Sequence, residues 1–128
     1  MKLLDTSVAI DHLRGYSVAT ALLEGLLRSD DTLVASELTR VELLAGARRD
    51  ERTHLEDFCS VVDWVPVTEE IARQAGAYAR SYRRSHAWIG VVDYLIASTA
   101  CVLGADLLTV NLRHFPMFDG LRTPYLDE

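Results

Sequence analysis

The sequence predicts an α/β fold, a single domain over residues 1–128 with a mostly parallel central sheet of four to five strands and helices on both faces. Three observations lead there. Short apolar runs alternate with longer helical patterns, so that each strand is followed by a helix able to return the chain parallel to its neighbour. The length of 128 residues suits one core, and no internal repeat, linker or low-complexity tract divides it. The hydrophobic fraction of 49% excludes a disordered chain.

The elements follow in order. Residues 2–5 read as a short strand and 7–14 as a helix ending at Gly15. Residues 17–28 form a second helix with the stripe Leu22, Leu23, Leu26, Leu27, followed by the turn Ser29-Asp30-Asp31 and a buried strand over 32–35. Ser36 is a good N-cap for a helix to about Ala45, with Gly46 as its expected glycine stop. A polar helix over 50–59 and a strand over 64–67 come next. Thr68 caps a helix over 69–84 whose first two residues, Glu69 and Glu70, favour the helix dipole. Gly90 precedes a helix over 91–103 that Gly104 stops. Residues 107–110 read as a strand, 111–118 as a loop containing Pro116, and 121–125 as a last short strand.

No export signal is visible, because Asp5 interrupts the N-terminal apolar run. The stretch 87–105 is long enough for a membrane span, but Asp93, Ser98 and Thr99 make it a buried core helix instead. Cys59 and Cys101 fit neither a zinc knuckle nor a redox pair and read as core residues. A reduced, cytoplasmic protein without a membrane partner is expected. The net charge of −6 argues against a broadly basic nucleic-acid surface. The basic residues nevertheless gather locally, at Arg73, Arg80, Arg83 and Arg84.

Three acids stand where apolar residues are expected. Asp5 closes the run Leu3-Leu4, Glu42 interrupts Leu38, Val41, Leu43-Leu44-Ala45, and Asp93 is the only formally charged residue between Ala87 and Ala105. A buried carboxylate costs several kcal/mol, by order of magnitude, unless it is paired, protonated or bound to a cation. No single Lys or Arg neighbours all three, so the simplest common partner is a divalent metal; oxygen ligands suit Mg²⁺ or Mn²⁺. The topology supports convergence, since ligands of open parallel sheets bind beyond the carboxyl ends of the strands. Asp5 and Asn111 both follow strands directly. Glu42 borders the Leu38, Val41, Ala45 stripe and leans inward, with Thr39 on nearly the same face.

Asp5-Thr6-Ser7 after an apolar strand, Ser36-x-x-Thr39-x-x-Glu42-Leu43, Asp93 followed by Ile96-Ala97, and Leu108-Thr109-x-Asn111-x-x-His114-Phe115 together resemble the PIN domain of VapC-type toxins. Each piece is weak alone, and the ordered set spans almost the whole chain. The resemblance implies a PIN-like three-layer α/β/α fold and a metal-dependent ribonuclease. It also implies a homodimer held inactive by a cognate VapB-type antitoxin whose tail fills the active-site groove. Asp5, Glu42 and Asp93 are the expected ligands of one or two ions, with Asn111 completing the catalytic set. Thr6, Ser7 and Thr39 are expected to support it. Similar toxins often carry a fourth acid where this chain has Asn111 and His114. Three carboxylates balance less charge than two divalent ions carry, so a second ion is expected to bind weakly or arrive with the substrate phosphate.

Plainer roles compete with these. Asp5 also fits a helix N-cap, Glu42 a rim residue facing Arg40 or Arg48, and His114 a loop residue packed beside Phe115 and Pro116. Arg80, Arg83 and Arg84 fit either a solvated helix face or an RNA contact, with Tyr78, Tyr82 and Trp88 interleaved as stacking or dimer-interface residues. Two other functions compete as well. A receiver-like phosphorylation domain needs a late lysine, whereas Lys2 is the only lysine. A catalytically weak or inactive PIN-like protein-binding module is the alternative that the neutral Asn111 keeps open.

Overall fold

The computed structural model describes residues 1–125. Four strands, β1 (Lys2–Leu4), β2 (Leu33–Ser36), β3 (Asp63–Val65) and β4 (Asp106–Leu108), form one wholly parallel sheet in the order β3-β2-β1-β4. Leu3 lies opposite Val34 on one side and Leu107 on the other. Because successive strand residues face opposite ways, β1 sends Leu4 into one core and Leu3 into the other.

The first core lies under α1 (Thr6–Leu13), α2 (Ser17–Arg28), α3 (Glu37–Gly46) and α4 (Arg52–Val61), and joins Leu4 to Val8, Leu23, Leu43, Leu55 and Phe58. The second lies under α5 (Glu69–Tyr82) and α6 (Val91–Leu103), and joins Leu3, Val34 and Leu107 to Ile96, Ala97 and Phe115. Two short 3₁₀ turns, Arg49–Glu51 and Leu112–His114, complete the described elements. The stretch once readable as a membrane span is α6, a core helix with Tyr94 and residues 96–100 buried. Among the described residues no helix is long and apolar enough to cross a membrane.

Local chemistry explains most boundaries. Ser36 accepts a hydrogen bond from the Leu38 N–H, and Thr68 from the Ile71 N–H, as N-caps should. Gly104 ends α6 in the left-handed region at φ 64°, where a side chain would be strained. Gly46 differs from expectation: it is the last helical residue of α3, and Ala47 caps the helix in an extended conformation. The segment 121–125 is not a strand. Pro124 removes a backbone donor there, and the Tyr125 hydroxyl bonds to the Asp11 carboxylate on α1 at 2.5 Å, drawing the chain across that helix rather than along the edge of β4. The sheet therefore has four strands among the described residues.

Both cysteines are free. Cys59 is buried as expected, but Cys101 is exposed near the end of α6. Burial and the neighbouring Glu56 raise the Cys59 thiol above its ordinary range.

Candidate active site

The chain leaves β1 toward β2 and β3 on one side and returns to β4 on the other, so the order reverses at β1. That reversal opens a crevice beyond the ends of β1 and β4. Asp5 follows β1 there, its N–H donating to the Leu108 carbonyl at 2.9 Å. Asp5 occupies the N-cap position of α1 without capping it. Instead its Oδ2 accepts hydrogen bonds of 2.7 Å from both the Ser7 and the Thr109 hydroxyls. Ser7 Oγ in turn accepts from the Val110 N–H at 3.2 Å. The side chain is 4% exposed, and among the described residues no Lys or Arg forms an ion pair with it.

Asp93 lies in the first turn of α6, where its carboxylate accepts from the Gly90 N–H at 3.2 Å. His114 Nδ1 approaches the same Oδ2 at 3.2 Å. His114 is therefore not simply packed beside Phe115; the 3₁₀ turn Leu112–His114 delivers it to the acid. Burial, with the Asp93 charge adding to it, pushes the adjacent Tyr94 phenol above its ordinary value of 10.0, so it stays neutral.

Glu42 corrects a sequence expectation. It is exposed on α3, as are Val41 and Ala45, while Thr39 and Leu43 form the buried face. The apolar stripe assigned to Leu38, Val41 and Ala45 is thus one helical step out of phase with the real core contact. Glu42 still points to the crevice, because its Oε1 accepts from the Thr6 hydroxyl at 2.7 Å. Thr6 also lies 3.0 Å from the Thr39 hydroxyl. Since the single hydroxyl hydrogen of Thr6 goes to Glu42, Thr39 donates to Thr6.

Asp5, Thr6, Ser7, Glu42, Asp93, Asn111 and His114 line one open cleft of about 640 Å³. Thr39 lies buried behind it. Arg80, Arg83 and Arg84 are exposed and do not line this cleft. The basic side chain on its wall is Arg14, at the end of a face of α1 that runs Ser7, Ile10, Asp11, Arg14. That helical spacing is the sequence signal that marks Arg14 and Asp11. Trp88 stands on the opposite segment, before Gly90 and Asp93.

The donor chemistry fits a hard divalent cation: mainly oxygen atoms beside the single imidazole of His114, one carboxylate buried without a cationic partner, and no sulfur. Among the described residues no three His, Cys, Asp or Glu converge tightly enough to enclose an ion, so the cleft presents its donors without a closed shell.

Residues 2–120 match the family described as PIN domain. The chain is 57% identical over 125 residues to Ribonuclease VapC19 of Mycobacterium tuberculosis (strain ATCC 25618 / H37Rv), covering 98% of this chain and 100% of that protein. Its structure is similar to a chain of a toxin-antitoxin complex from Klebsiella pneumoniae, with TM-score 0.81, 25% identity and 98% of each chain covered. It is also similar to a chain of VapBC-1 from nontypeable Haemophilus influenzae, with TM-score 0.73, 26% identity and 89% of each chain covered.

Proposed function

Because the chain belongs to the PIN-domain family, we propose that it is an endoribonuclease toxin of the VapC type, neutralised by a cognate VapB-type antitoxin. The observation that carries the chemistry is the Asp5 carboxylate, buried at the switch point of the sheet, held by two hydroxyls and sharing one cleft with Glu42 and Asp93.

Asp5, Glu42 and Asp93 would hold Mg²⁺ or Mn²⁺, one ion or two, with Asn111 offering a neutral oxygen beside them. Such an ion, when bound, lowers the pKa of water and offsets charge on the phosphodiester during in-line displacement. The protein's own part is orientation. Ser7 and Thr109 fix the Asp5 carboxylate from behind, the Thr39 and Thr6 hydroxyls aim Glu42, and the Gly90 N–H and His114 hold Asp93. No nucleophilic side chain is required, so hydrolysis proceeds without a covalent intermediate on the protein. Arg14 supplies positive charge on a wall otherwise rich in acids, where a phosphate must approach.

The same reading makes the chain a cytoplasmic homodimer. Exposed Val41, Leu44 and Val91 are apolar surface that a second copy or the antitoxin would cover. Size-exclusion chromatography with light scattering measures the dimer directly.

The catalytic reading is tested by incubating the purified chain, freed of antitoxin, with total cellular RNA in Mg²⁺, in Mn²⁺ and in EDTA. Discrete products that disappear in EDTA support it. Metal binding by the folded protein without any cleavage would select the inactive binding module instead.

A further inference from the structure

The wall of the cleft that carries Asp93 begins with an aromatic residue that the core does not use. Ile89 is buried in the small cluster with Ala75 and Tyr94, whereas its neighbour Trp88 turns outward and is 45% exposed. Trp88 lines the same cleft as Gly90, Val91 and Asp93. The indole is not a free rotor. Its Nε1 donates to the Arg113 carbonyl at 3.0 Å, and the Arg113 guanidinium carbon sits 4.6 Å from the ring centroid. The His86 ring makes a tilted contact with the indole, its centroid 5.0 Å away at 59°, and the 45% exposure of Trp88 is what remains open beside it. The bond to Arg113 also ties the platform to the acids, because the next residue, His114, contacts Asp93.

We propose that Trp88, backed by Arg113, is a stacking platform for an unpaired RNA base beside the scissile phosphate, and thus a positioning residue for cleavage. This rests on the ribonuclease reading of the cleft. A fixed aromatic surface loses little freedom when a base settles on it, which favours binding. Stacking accepts any base, because each has a π-face, but needs the base unpaired; a duplex buries those faces in its own stack. The platform therefore selects single-stranded or looped RNA over a continuous helix. The guanidinium of Arg113 adds charge for the backbone at the edge of a cleft whose floor is acidic.

The test uses the two tryptophans separately. Trp64 lies on β3 with Arg40 4.3 Å from its ring, away from the cleft, so Trp64→Phe leaves Trp88 as the only tryptophan, read with excitation at the red edge beyond tyrosine absorption. A mixed-sequence single-stranded RNA hexamer is titrated in EDTA, where cleavage is not expected, alongside the same sequence annealed into a duplex. Trp88 emission should be quenched by the single strand and little changed by the duplex. Anisotropy of the labelled hexamer should show binding weakened about tenfold by Trp88→Leu and largely restored by Trp88→Tyr, the size expected for one base stack. Unchanged emission, no binding of the hexamer, equal quenching by duplex, or undiminished affinity in Trp88→Leu each overturns the platform. If Trp88→Leu fails to fold, the emission titration of Trp64→Phe still decides. Cleavage of total RNA without quenching removes only the platform; quenching without cleavage keeps Trp88 as a base-stacking surface but removes the ribonuclease reading and, with it, the platform's role in cleavage.

Discussion

The Thr109 hydroxyl donates a 2.7 Å hydrogen bond to Asp5 Oδ2, joining the residues that follow the two strands between which the sheet reverses. Thr109 is fully buried and also accepts from the Asn111 N–H at 3.0 Å, so one hydroxyl orients both the acid and the turn carrying Asn111.

Thr109→Val keeps the shape and removes that hydroxyl. The expected cost is about 1–3 kcal/mol, the usual range when a buried polar group loses its partner. Urea denaturation measures it. Cleavage should fall as well, since Asp5 keeps only the Ser7 donor among these two.

Thr39→Val tests whether the hydroxyl pair aims Glu42. Thr39 does not line the cleft, so a loss of activity would act through Thr6. We expect a drop of about tenfold, the lower end for residues that orient a metal ligand, with the midpoint of thermal unfolding changed by less than in Thr109→Val. Glu42→Gln should lose more activity than Thr39→Val.

Gly104→Ala addresses the end of α6. A Cβ there meets no atom within 4 Å, so the penalty is conformational alone, at φ 64°. About 1 kcal/mol of stability should be lost with cleavage unchanged. Denaturant midpoints and rates measured side by side check both parts.

His12 gives a pH dependence of stability. Burial, aided by the neighbouring His54, holds its imidazole below the ordinary value of 6.5. As pH falls below 6.5 the unfolded chain takes up a proton that the folded His12 resists, so stability declines between 6.5 and the lower folded value. Above 6.5 the group contributes no slope. Thermal midpoints from pH 7.5 to 5 should fall less steeply in His12→Gln than in the unsubstituted protein.

Asp5 and Asp93 are legible in the sequence because each interrupts an apolar segment whose element is unambiguous. Glu42 is legible as a residue facing the cleft but not in its burial. On α3 the run Leu43-Leu44-Ala45 offers apolar side chains on several faces, so periodicity alone does not select the buried one, and Val41 and Leu44 are exposed. His114 escapes for a different reason. Its approach to Asp93 depends on a 3₁₀ turn after β4 that no apolar period marks. The segment 121–125 carries strand-forming residues locally, yet the long-range tie from Tyr125 to Asp11 decides its path. Arg73 and Arg80 on α5, with Arg83 and Arg84 just beyond its end, form a visible cluster in sequence, but α5 packs on the far layer with α6 and all four arginines are exposed to solvent.

The most direct measurement is an isothermal titration of Mn²⁺ into the antitoxin-free protein, the Asp5→Asn variant and the Asp93→Asn variant, with circular dichroism confirming that each is folded. The account predicts saturable binding to the unsubstituted protein and affinity at least tenfold weaker in both variants, the scale on which loss of a supporting or ligating group lowers metal affinity. Equal Mn²⁺ affinity in all three proteins would contradict it, because the acids of the cleft would then not be what holds the ion.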